Sequence, residues 1–528
     1  MANYKFNNFG VMIDMSRNSV MNLDSLKEFI RLIKKIGYNC VLLYTEDTYE
    51  IDDPYFGYLR GRYSKDEMKE IDAFAQSIGV EMIPCIQTLA HLNAYFKWKK
   101  VPIDCNDILL ADDEKTYELI DKMFASTSEC FKSRRIHIGM DEAHMLGRGK
   151  HLDIHGYEDA ISIMQRHLSR VVEIAKKYGY DPMMWSDMFF RSWNNGAYTI
   201  PKQDLPEEVI NAFNKDVTPV YWDYYRTEKQ VYSDMLYNHK QLSDETWFAG
   251  GVWGWGGLVP FNELSMKNMF PAIDACREHK VKNVFMTLWG DNGGECSHFA
   301  EIPGLFKIIE YAKGNTDEEE SNKKFKRIFG LDFDDFLAID LPNQIADEKK
   351  IVNPSKYMLF SDPFAGFFDC TVKKGVGKKF EEYEKILSGI ANKTRRFGYI
   401  FKAEAKLCAV LSVKYELGVK TREAYRTRDI EALRSLIGDY SEAIKRTKEF
   451  YKAFSSMWYK DFKPHGFEVQ DIRIGGLIQR LEGCKKRLSD YIDGKLAKID
   501  ELEDVILPFK SEPVYFNNAL NSASVNVN

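Results

Sequence analysis

Short runs of apolar residues alternate with segments of helical periodicity along the first 315 residues of the chain. Runs that are almost continuously apolar are typical of parallel strands buried on both faces. The segments between them carry apolar residues three and four positions apart, which predicts amphipathic helices. Eight such runs predict eight strands, at residues 9–14, 40–44, 81–86, 136–139, 182–185, 218–222, 247–252 and 284–289.

This repeat favours an α/β fold in which eight strand–helix units close into a (β/α)8 TIM barrel. A doubly wound open sheet is the rival architecture, but the chain has no glycine-rich nucleotide-binding fingerprint to support it. A polar, acidic stretch at residues 314–322 indicates a boundary. We therefore expect one domain at residues 1–315, formed by the barrel, and a second domain at residues 316–528.

The second region has a different pattern, in which helical periodicity is common and strand signals are scarce. We expect a mainly α-helical C-terminal domain, interrupted by a loop that begins at residue 463. The sequence assigns this domain no chemistry. Its amphipathic helices could cover the barrel or build the interface of a homodimer.

Composition narrows the classes of partner. The chain has 73 basic and 79 acidic residues and a net charge of −6, which argues against binding to nucleic acid by bulk charge. No apolar run approaches the roughly 18 residues that span a membrane. The start lacks the apolar core of a signal peptide, and the nine cysteines show no C-x-x-C spacing. We expect a cytoplasmic protein with reduced thiols and no membrane contact.

Aromatic residues make up 14% of the chain, more than core packing requires, and many of them follow predicted strands. Active sites of barrels lie at the carboxyl ends of the strands, and there carboxylates and indoles dominate. Carboxylates can bind sugar hydroxyls, and indoles can stack on the apolar faces of sugar rings. The strand-end candidates are Arg17, His91, His137, Asp141, Glu142, Trp185, Tyr221, Trp222, Asp223, Trp253, Trp255, Trp289, Asp291 and Glu295.

The adjacent acids Asp141 and Glu142 are the most specific of these candidates. Neighbouring acidic residues are common in a chain with 79 of them, so the pair alone is weak evidence. This pair closes a short apolar run, however, where packing gives no reason for charge. Its context, His137-Ile-Gly-Met-Asp-Glu142, resembles the H-x-G-G-D-E signature of the family 20 glycoside hydrolases, the β-N-acetylhexosaminidases.

Further motifs carry the same resemblance in the same order along the chain. Residues 11–17 are similar to the family's first strand with its sugar-binding Arg, residues 79–91 to the third-strand motif that ends in P-G-H, and Trp289-Gly-Asp291 to the last-strand W-x-E. Met140 replaces the usual second Gly of the signature, and Leu89-Ala90 replace Pro-Gly, but no reacting group is lost. The first strand begins near Phe9, so we expect the family's common N-terminal α/β domain to be absent.

The resemblance implies an exo-acting hydrolase that removes terminal β-linked N-acetylglucosamine, with N-acetylgalactosamine as a second sugar, from a small oligosaccharide or glycoconjugate without a cofactor. In this family the substrate's own acetamido carbonyl attacks the anomeric carbon, and configuration is retained through an oxazolinium intermediate. Glu142 would protonate the leaving oxygen and then activate water. Asp141 would orient the acetamido N–H and stabilise the positive intermediate.

The resemblance also implies binding roles for the other candidates. Arg17 would hold the outer hydroxyls of the sugar. On the last strand Asp291 is the first choice for binding these hydroxyls and Glu295 the second, while His91 and His137 would orient neighbouring carboxylates. The simpler alternative for Arg17 is a salt bridge to Asp14. The indoles Trp185, Trp255 and Trp289 would wall the acetamido group and the ring faces, although each could equally be a core residue.

The sixth strand is the least certain part of the resemblance. Family members commonly carry a Y-x-D on the seventh strand, whose Tyr donates to the acetamido oxygen. Here Tyr221-Trp222-Asp223 lies on the predicted sixth strand, and the seventh carries Trp253 and Trp255 but no Tyr. Either the strand count is off by one, or Trp222 fills an aromatic position and another residue donates.

Two other functions remain open from the sequence. One is a barrel that binds amino sugars without catalysis. The other is a metal-dependent hydrolase that uses His137, Asp141 and His144, although their spacing matches no zinc motif and the resemblance implies no metal.

Overall fold

A computed structural model of the protein describes residues 4–315, 317–345 and 353–507. Eight parallel strands form a closed barrel in chain order, as the apolar runs predict. Strand β1 pairs with both β2 and β8, which closes the sheet. The strands are β1 Asn8–Asp14, β2 Cys40–Tyr44, β3 Glu81–Cys85, β4 Arg135–His137, β5 Asp181–Trp185, β6 Thr218–Trp222, β7 Trp247–Gly251 and β8 Asn283–Leu288.

Helices follow the strands and cover the outside of the barrel. The apolar face of the first one, with Leu26, Phe29, Ile30 and Ile33, is fully buried. A capping box begins the helix after the second strand, because the Ser64 and Glu67 side chains each accept a hydrogen bond from the other's backbone N–H. These helices are α1 Leu23–Ile36, α2 Lys65–Ser77, α3 Asn93–Phe96, α4 Glu114–Cys130, α5 Lys150–His155, α6 Ala160–Lys177, α7 Asp187–Arg191, α8 Glu207–Ala212, α9 Lys229–His239, α10 Asn262–Glu278 and α11 Ile302–Ala312, with a 3-10 turn at His298–Glu301.

The described residues after 316 form the C-terminal helical region, in which α15, α16, α18 and α19 pack side by side. No strand occurs in this described part, as the sequence predicts. Its helices are α12 Glu318–Phe329, α13 Phe333–Leu337, α14 Pro354–Phe360, α15 Val376–Lys393, α16 Gly398–Lys414, α17 Leu417–Arg426, α18 Ile430–Asp461, α19 Phe467–Ile492 and α20 Asp500–Glu503, with 3-10 turns at Ala338–Asn343 and Asp369–Thr371.

The helical region packs directly on the barrel. At the end of α18, the Asp461 carboxylate accepts hydrogen bonds from Ser297 (2.5 Å) and Tyr399 (2.6 Å). The loop predicted from residue 463 is short, because α19 already begins at Phe467. The division into two domains stays a prediction, since residue 316 at the boundary and residues 508–528 at the end lie outside the described residues.

The structure also bears on membrane-spanning segments and on the state of the cysteines. None of the described helices is long and apolar enough to cross a membrane. All nine cysteines are free thiols, and seven of them are buried.

Candidate active site

The two adjacent acids lie on a tight turn at the carboxyl end of β4. Gly139, Met140 and Glu142 all have left-handed backbone, with φ of 71°, 71° and 53°. A Cβ at position 139 would lie 1.9 Å from Oε1 of Gln87, so only glycine fits there. Met140 and Glu142 hold this conformation at a cost in energy, which is common where a fold must aim functional side chains.

Asp141 is held from two sides. Gln87 donates from Nε2 to Oδ1 of Asp141 (2.9 Å), and Oε1 of Gln87 accepts from the Met140 N–H (3.2 Å). Nε2 of His91 lies 3.2 Å from the other carboxylate oxygen, Oδ2, and 3.9 Å from Oε2 of Glu142. The Asp141 side chain is therefore fixed in direction before any substrate arrives.

Electrostatics keep Asp141 charged despite its burial. Burial by itself would raise the pKa of Asp141, but the positive His91 and the hydrogen bonds outweigh it and hold the pKa at about 2. Burial likewise disfavours the charged form of His91, yet the Asp141 carboxylate raises the His91 pKa to about 9. At neutral pH the two side chains form an ion pair.

Glu142 differs from its neighbour because 43% of its side chain is exposed at the mouth of the barrel. Its backbone N–H donates to Oδ2 of Asp187 (3.2 Å), an oxygen that also accepts from Nε of Arg191 (3.1 Å). Burial, followed by the charge of Asp141, raises the pKa of Asp187 to about 7. Asp187 thus anchors the backbone that carries Glu142. Asp187 is not among the sequence-predicted candidates.

A wall of aromatic rings faces the acids. Trp253 and Trp255 stack with centroids 4.3 Å apart, and Tyr224 meets the Trp255 ring edge-on at 5.3 Å. Trp222 lies nearly parallel to Tyr224 at 5.6 Å, and Trp289 donates from Nε1 to the Tyr224 hydroxyl (3.0 Å). The four indoles are among the sequence-predicted candidates, but the tyrosine between them is not.

The Tyr224 hydroxyl is a hydrogen-bond donor poised in this wall. Burial, followed by the neighbouring Tyr225, raises the Tyr224 pKa well above its ordinary value, and the acids Glu142 and Asp141 add to the effect. The phenol therefore keeps its proton. Because it accepts a hydrogen bond from Trp289, that proton can be donated to a ligand.

Trp185 lies deeper, at the floor of the mouth. It is 1% exposed, and its ring lies 4.4 Å from that of His137 and 6.0 Å from that of Trp289. Its buried indole N–H has no acceptor among the described residues. Trp185 thus connects the aromatic wall at Trp289 with the barrel interior at His137.

Arg17 lies at the opposite side of the mouth, at the ends of β1, β2 and β8. It donates from Nε to Oε1 of Glu46 (3.0 Å) and from a terminal nitrogen to Asp291. Its guanidinium also lies over the rings of Tyr44 and Trp289, 5.9 and 5.8 Å from their centroids. Asp14, the alternative partner, accepts instead from the backbone of Gly290 (2.9 Å). Glu46 is a second strand-end residue to which the sequence assigns no role.

Four predicted substrate-binding residues are buried and bonded to other parts of the chain, and their role in binding stays a prediction. Glu295 is 2% exposed and pairs with two cations of the helical region. His137 is fully buried and its Nδ1 accepts from the Gly139 N–H (3.1 Å), so it supports the turn before the acids rather than a carboxylate. Burial lowers its pKa to about 3 and keeps it neutral.

The other two of these residues lie at the end of the sixth strand. Tyr221 is 1% exposed and its ring packs on His239 of α9 (4.8 Å) and Phe248 of β7 (5.4 Å), which places it between sheet and helix. Its hydroxyl donates to Asp223 (3.3 Å), and Asp223 accepts from the Tyr225 N–H (3.0 Å). Tyr221 and Asp223 are thus bonded to each other and to the backbone of the loop after β6, which also carries Tyr224.

A metal site built from His137, Asp141 and His144 does not form. In the described part of the chain, the one group of potential ligand atoms that converges is Asp112, His151 and Glu158. The guanidinium of Arg166 already contacts both of its carboxylates, at 2.8 and 2.6 Å. The structure therefore contradicts the hypothesis that the strand-end histidines are metal ligands.

Two family models match this chain. The glycosyl hydrolase family 20 catalytic domain matches residues 44–251, and the glycoside hydrolase 20C C-terminal domain matches residues 334–519. The chain belongs to glycoside hydrolase family 20. The catalytic match includes Gln87, His91, the two acids and Tyr224, whereas Arg17 and Asp291 lie outside it.

Individual relatives have low sequence identity to this chain. Human Hexosaminidase D is 27% identical over 340 residues, which cover 58% of this chain and 66% of that protein. Bovine Hexosaminidase D is 27% identical over 217 residues, which cover 38% of this chain and 58% of that protein. The chain thus matches less than two thirds of the length of either relative.

Two solved structures of family 20 enzymes match a little under two thirds of this chain. An exo β-N-acetylglucosaminidase from Vibrio harveyi in complex with N-acetylglucosamine gives a TM-score of 0.46 at 14% identity, covering 63% of this chain and 58% of that one. A mutant β-hexosaminidase from Streptomyces plicatus in complex with N-acetylglucosamine as product gives 0.45 at 17% identity, covering 62% and 69%.

Proposed function

We propose that this protein is a retaining exo-β-N-acetylhexosaminidase that removes terminal β-linked N-acetylglucosamine from a small oligosaccharide or glycoconjugate. One observation carries the proposal. A charged, immobilised carboxylate, Asp141, stands beside a half-exposed one, Glu142, at the mouth of a barrel walled by indoles. Family 20 membership and the names of the mammalian relatives support the same activity.

In the proposed reaction the substrate supplies its own nucleophile. The acetamido carbonyl oxygen attacks the anomeric carbon, the bond to the leaving oxygen breaks, and Glu142 gives that oxygen a proton. Water then adds to the anomeric carbon of the oxazolinium intermediate, and the bond from that carbon to the acetamido oxygen breaks, which restores the acetamido group. Glu142 takes up the proton that the water releases. Two inversions at the same carbon retain the configuration of the sugar.

Asp141 suits the charge that develops in this reaction. Its ionised carboxylate accepts a hydrogen bond from the acetamido N–H and faces the growing positive charge of the oxazolinium ring. Because Gln87 and His91 already orient it, little reorganisation is needed when that charge appears. Tyr224 is our choice for the donor to the acetamido oxygen, in place of Tyr221.

The rest of the sugar fits between the two sides of the mouth. Trp255 and Trp289 offer apolar faces to the ring, while Arg17 and Asp291 offer a donor and an acceptor to the outer hydroxyls. N-acetylgalactosamine differs from N-acetylglucosamine only in the direction of the fourth hydroxyl. Relative rates on the two sugars therefore report on Arg17 and Asp291.

The decisive test is the change Glu142→Gln. It removes the proton donor while keeping the shape of the side chain, so hydrolysis of an aryl β-N-acetylglucosaminide should fall about 10²- to 10⁴-fold. A far-ultraviolet circular dichroism spectrum identical to that of the wild type checks the fold. Wild-type activity in the folded variant would refute the role of Glu142.

Two outcomes would favour other functions. A wild-type protein that binds N-acetylglucosamine but hydrolyses no aryl hexosaminide would be an amino-sugar-binding barrel without catalysis. Inhibition by a chelator, reversed by added metal, would point to metal-dependent hydrolysis. We also propose a cytoplasmic location, which the nine free thiols support, and a homodimer, which light scattering separates from a 61.3 kDa monomer.

A further inference from the structure

The turn after β8 carries Asp291 and has an unusual backbone. Asn292, Gly293 and Gly294 follow one another with positive φ of 64°, 123° and 57°. The turn is closed by a hydrogen bond from the Gly294 N–H to the Gly290 carbonyl (2.7 Å), and the Asp291 carbonyl accepts from Gly256 (2.9 Å). The turn therefore depends on three successive residues with positive φ, and few other backbone conformations would keep Asp291 against Arg17.

Two cations from the C-terminal helical region hold this turn. Arg473 of α19 donates to the Asn292 carbonyl (2.9 Å) and to its side-chain oxygen (3.1 Å). Lys356 of α14 donates from Nζ to the same carbonyl (2.8 Å). The backbone oxygen of one turn residue thus receives donors from two helices that are remote in sequence.

Glu295 completes the arrangement from the far end of the turn. Its Oε1 lies 2.6 Å from a terminal nitrogen of Arg473, and its Oε2 lies 2.5 Å from Nζ of Lys356. The three side chains are at most 1% exposed. The sequence predicts that Glu295 binds sugar, but the structure commits it to these two cations. We call Glu295, Lys356 and Arg473 the buried triad.

Stability alone does not explain a buried triad. Removing charges from water is so costly that apolar residues of similar size often stabilise a fold as well or better. What a set of charged hydrogen bonds supplies is direction, because each donor must face its acceptor. Here the acceptors are Asn292, inside the turn that presents Asp291, and Glu295, directly after that turn.

We propose that Arg473 and Lys356 are positioning residues for the sugar-binding pair Arg17 and Asp291, so that the helical region completes the substrate site. They act through Asn292 and Glu295 and touch no substrate. This inference rests on the proposed function, because its readout is hydrolysis of an amino sugar. It also gives the helical region, to which the sequence assigns no chemistry, a role in recognition.

The first experiment changes Arg473→Met in the full chain. We expect KM for an aryl β-N-acetylglucosaminide to rise about tenfold while kcat changes less than about threefold, because Arg473 supports sugar binding rather than bond breaking. The more specific readout is a pair of substrates. The second substrate is the 4-deoxy analogue, which lacks the fourth hydroxyl of the sugar. We call the factor by which activity falls on this analogue the 4-deoxy penalty. It should be large for the wild type and much smaller for Arg473→Met.

Folding must be separated from positioning. Arg473→Met leaves Glu295 buried with one cation fewer, which can destabilise the protein severely. The double variant Arg473→Met/Glu295→Gln removes both charges together, and Arg473→Lys keeps the charge but cannot form the forked hydrogen bonds to Asn292. Both should show the raised KM and the reduced 4-deoxy penalty, and thermal unfolding identifies the variants that are folded.

Arg480→Met is the matched control. Arg480 lies two turns further along α19, and it pairs with Asp362 of the helical region at 2.7 Å, away from the β8 turn. This variant should lower thermal stability and leave KM and the 4-deoxy penalty unchanged. Folded Arg473 variants with wild-type KM and 4-deoxy penalty, or an equal effect of Arg480→Met, would overturn the inference. Wild-type protein inactive on every aryl hexosaminide would refute the proposed function instead.

Discussion

The two sides of the barrel mouth fix a carboxylate in different ways. Asp141 is held by Gln87 and His91, which lie within 54 residues of it in the chain. Asp291 is held by Arg17 and by a turn whose supports include Arg473, 181 residues beyond Asn292. The side proposed for bond breaking is thus built from neighbouring strands of the barrel, whereas the side proposed for sugar selection draws on nearly the whole chain.

This difference has a consequence for change within the fold. If the two proposals hold, substitutions in the helical region change recognition of the outer sugar hydroxyls through the buried triad and leave the acids in place. Substitutions between β2 and β5 act on Asp141 and Glu142 directly. Recognition and chemistry should therefore respond separately to mutation.

The largest effect is expected from Asp141→Asn. The amide keeps the shape but removes the charge proposed to face the oxazolinium ion, and it also breaks the ion pair with His91. We expect kcat to fall about 10²- to 10³-fold with a small change in KM. Asp112→Asn, in a surface ion pair with Arg166, is the control and should keep wild-type rates. A large rise in KM with unchanged kcat would show instead that Asp141 serves sugar binding rather than bond breaking.

Tyr224→Phe should have the next largest effect. It removes the hydroxyl proposed to donate to the acetamido oxygen and leaves the ring in the aromatic wall, so kcat/KM should fall about 10- to 100-fold. Tyr221→Phe, three residues earlier on strand β6, is the matched control and should change kcat/KM less than about twofold. The reverse pattern would restore the sequence-based assignment of Tyr221.

A smaller effect is expected from His91→Gln, with a clear pH signature. His91 is protonated below its pKa of about 9 and then holds the Asp141 carboxylate in place. Wild-type activity should therefore decline as pH rises through about 9. The variant should be about tenfold slower at pH 7 and should lack this decline. His144→Gln, on the same side of the mouth, should keep it.

The same ion pair makes a statement about stability. The pKa of His91 rises from 6.5 to about 9 on folding, so its contribution is complete below pH 6.5 and is lost as pH rises through 9. The pKa of Asp141 falls from 3.8 to about 2, so its contribution is complete above pH 3.8 and is lost as pH falls through 2. Both contributions are complete between pH 3.8 and pH 6.5. The thermal unfolding temperature of His91→Gln should therefore lie furthest below that of the wild type in this pH range.

The sequence predicts the barrel well because each strand is short, apolar and buried on both faces. All eight observed strands begin and end within two residues of the predicted runs. Helix α19 begins ten residues earlier than its periodicity predicts, because the apolar pattern is clear only from residue 477 and the aromatic stretch after Gly466 is typical of a loop. Tertiary packing of Phe467 overrides that local signal.

For the site, the sequence predicts which residues lie near the mouth but not where their side chains point. A strand-end side chain can point inward, toward a helix or into the next turn. This is why the sequence favours Tyr221 and Glu295 and misses Tyr224, two positions past the end of β6. No local pattern could have shown that Glu295 is paired with Arg473, because that contact joins positions 178 residues apart.

The left-handed residues of the mouth also bear on how the protein could be engineered. His91, Met140 and Glu142 adopt positive φ without being glycine, at a cost of about 1 kcal/mol each. Selection for heat resistance alone would be expected to relax these positions first, since relief of strain is an accessible route to a more stable fold. The same three residues aim the proposed acid and its partners, so a thermostable variant obtained that way should be a slower enzyme.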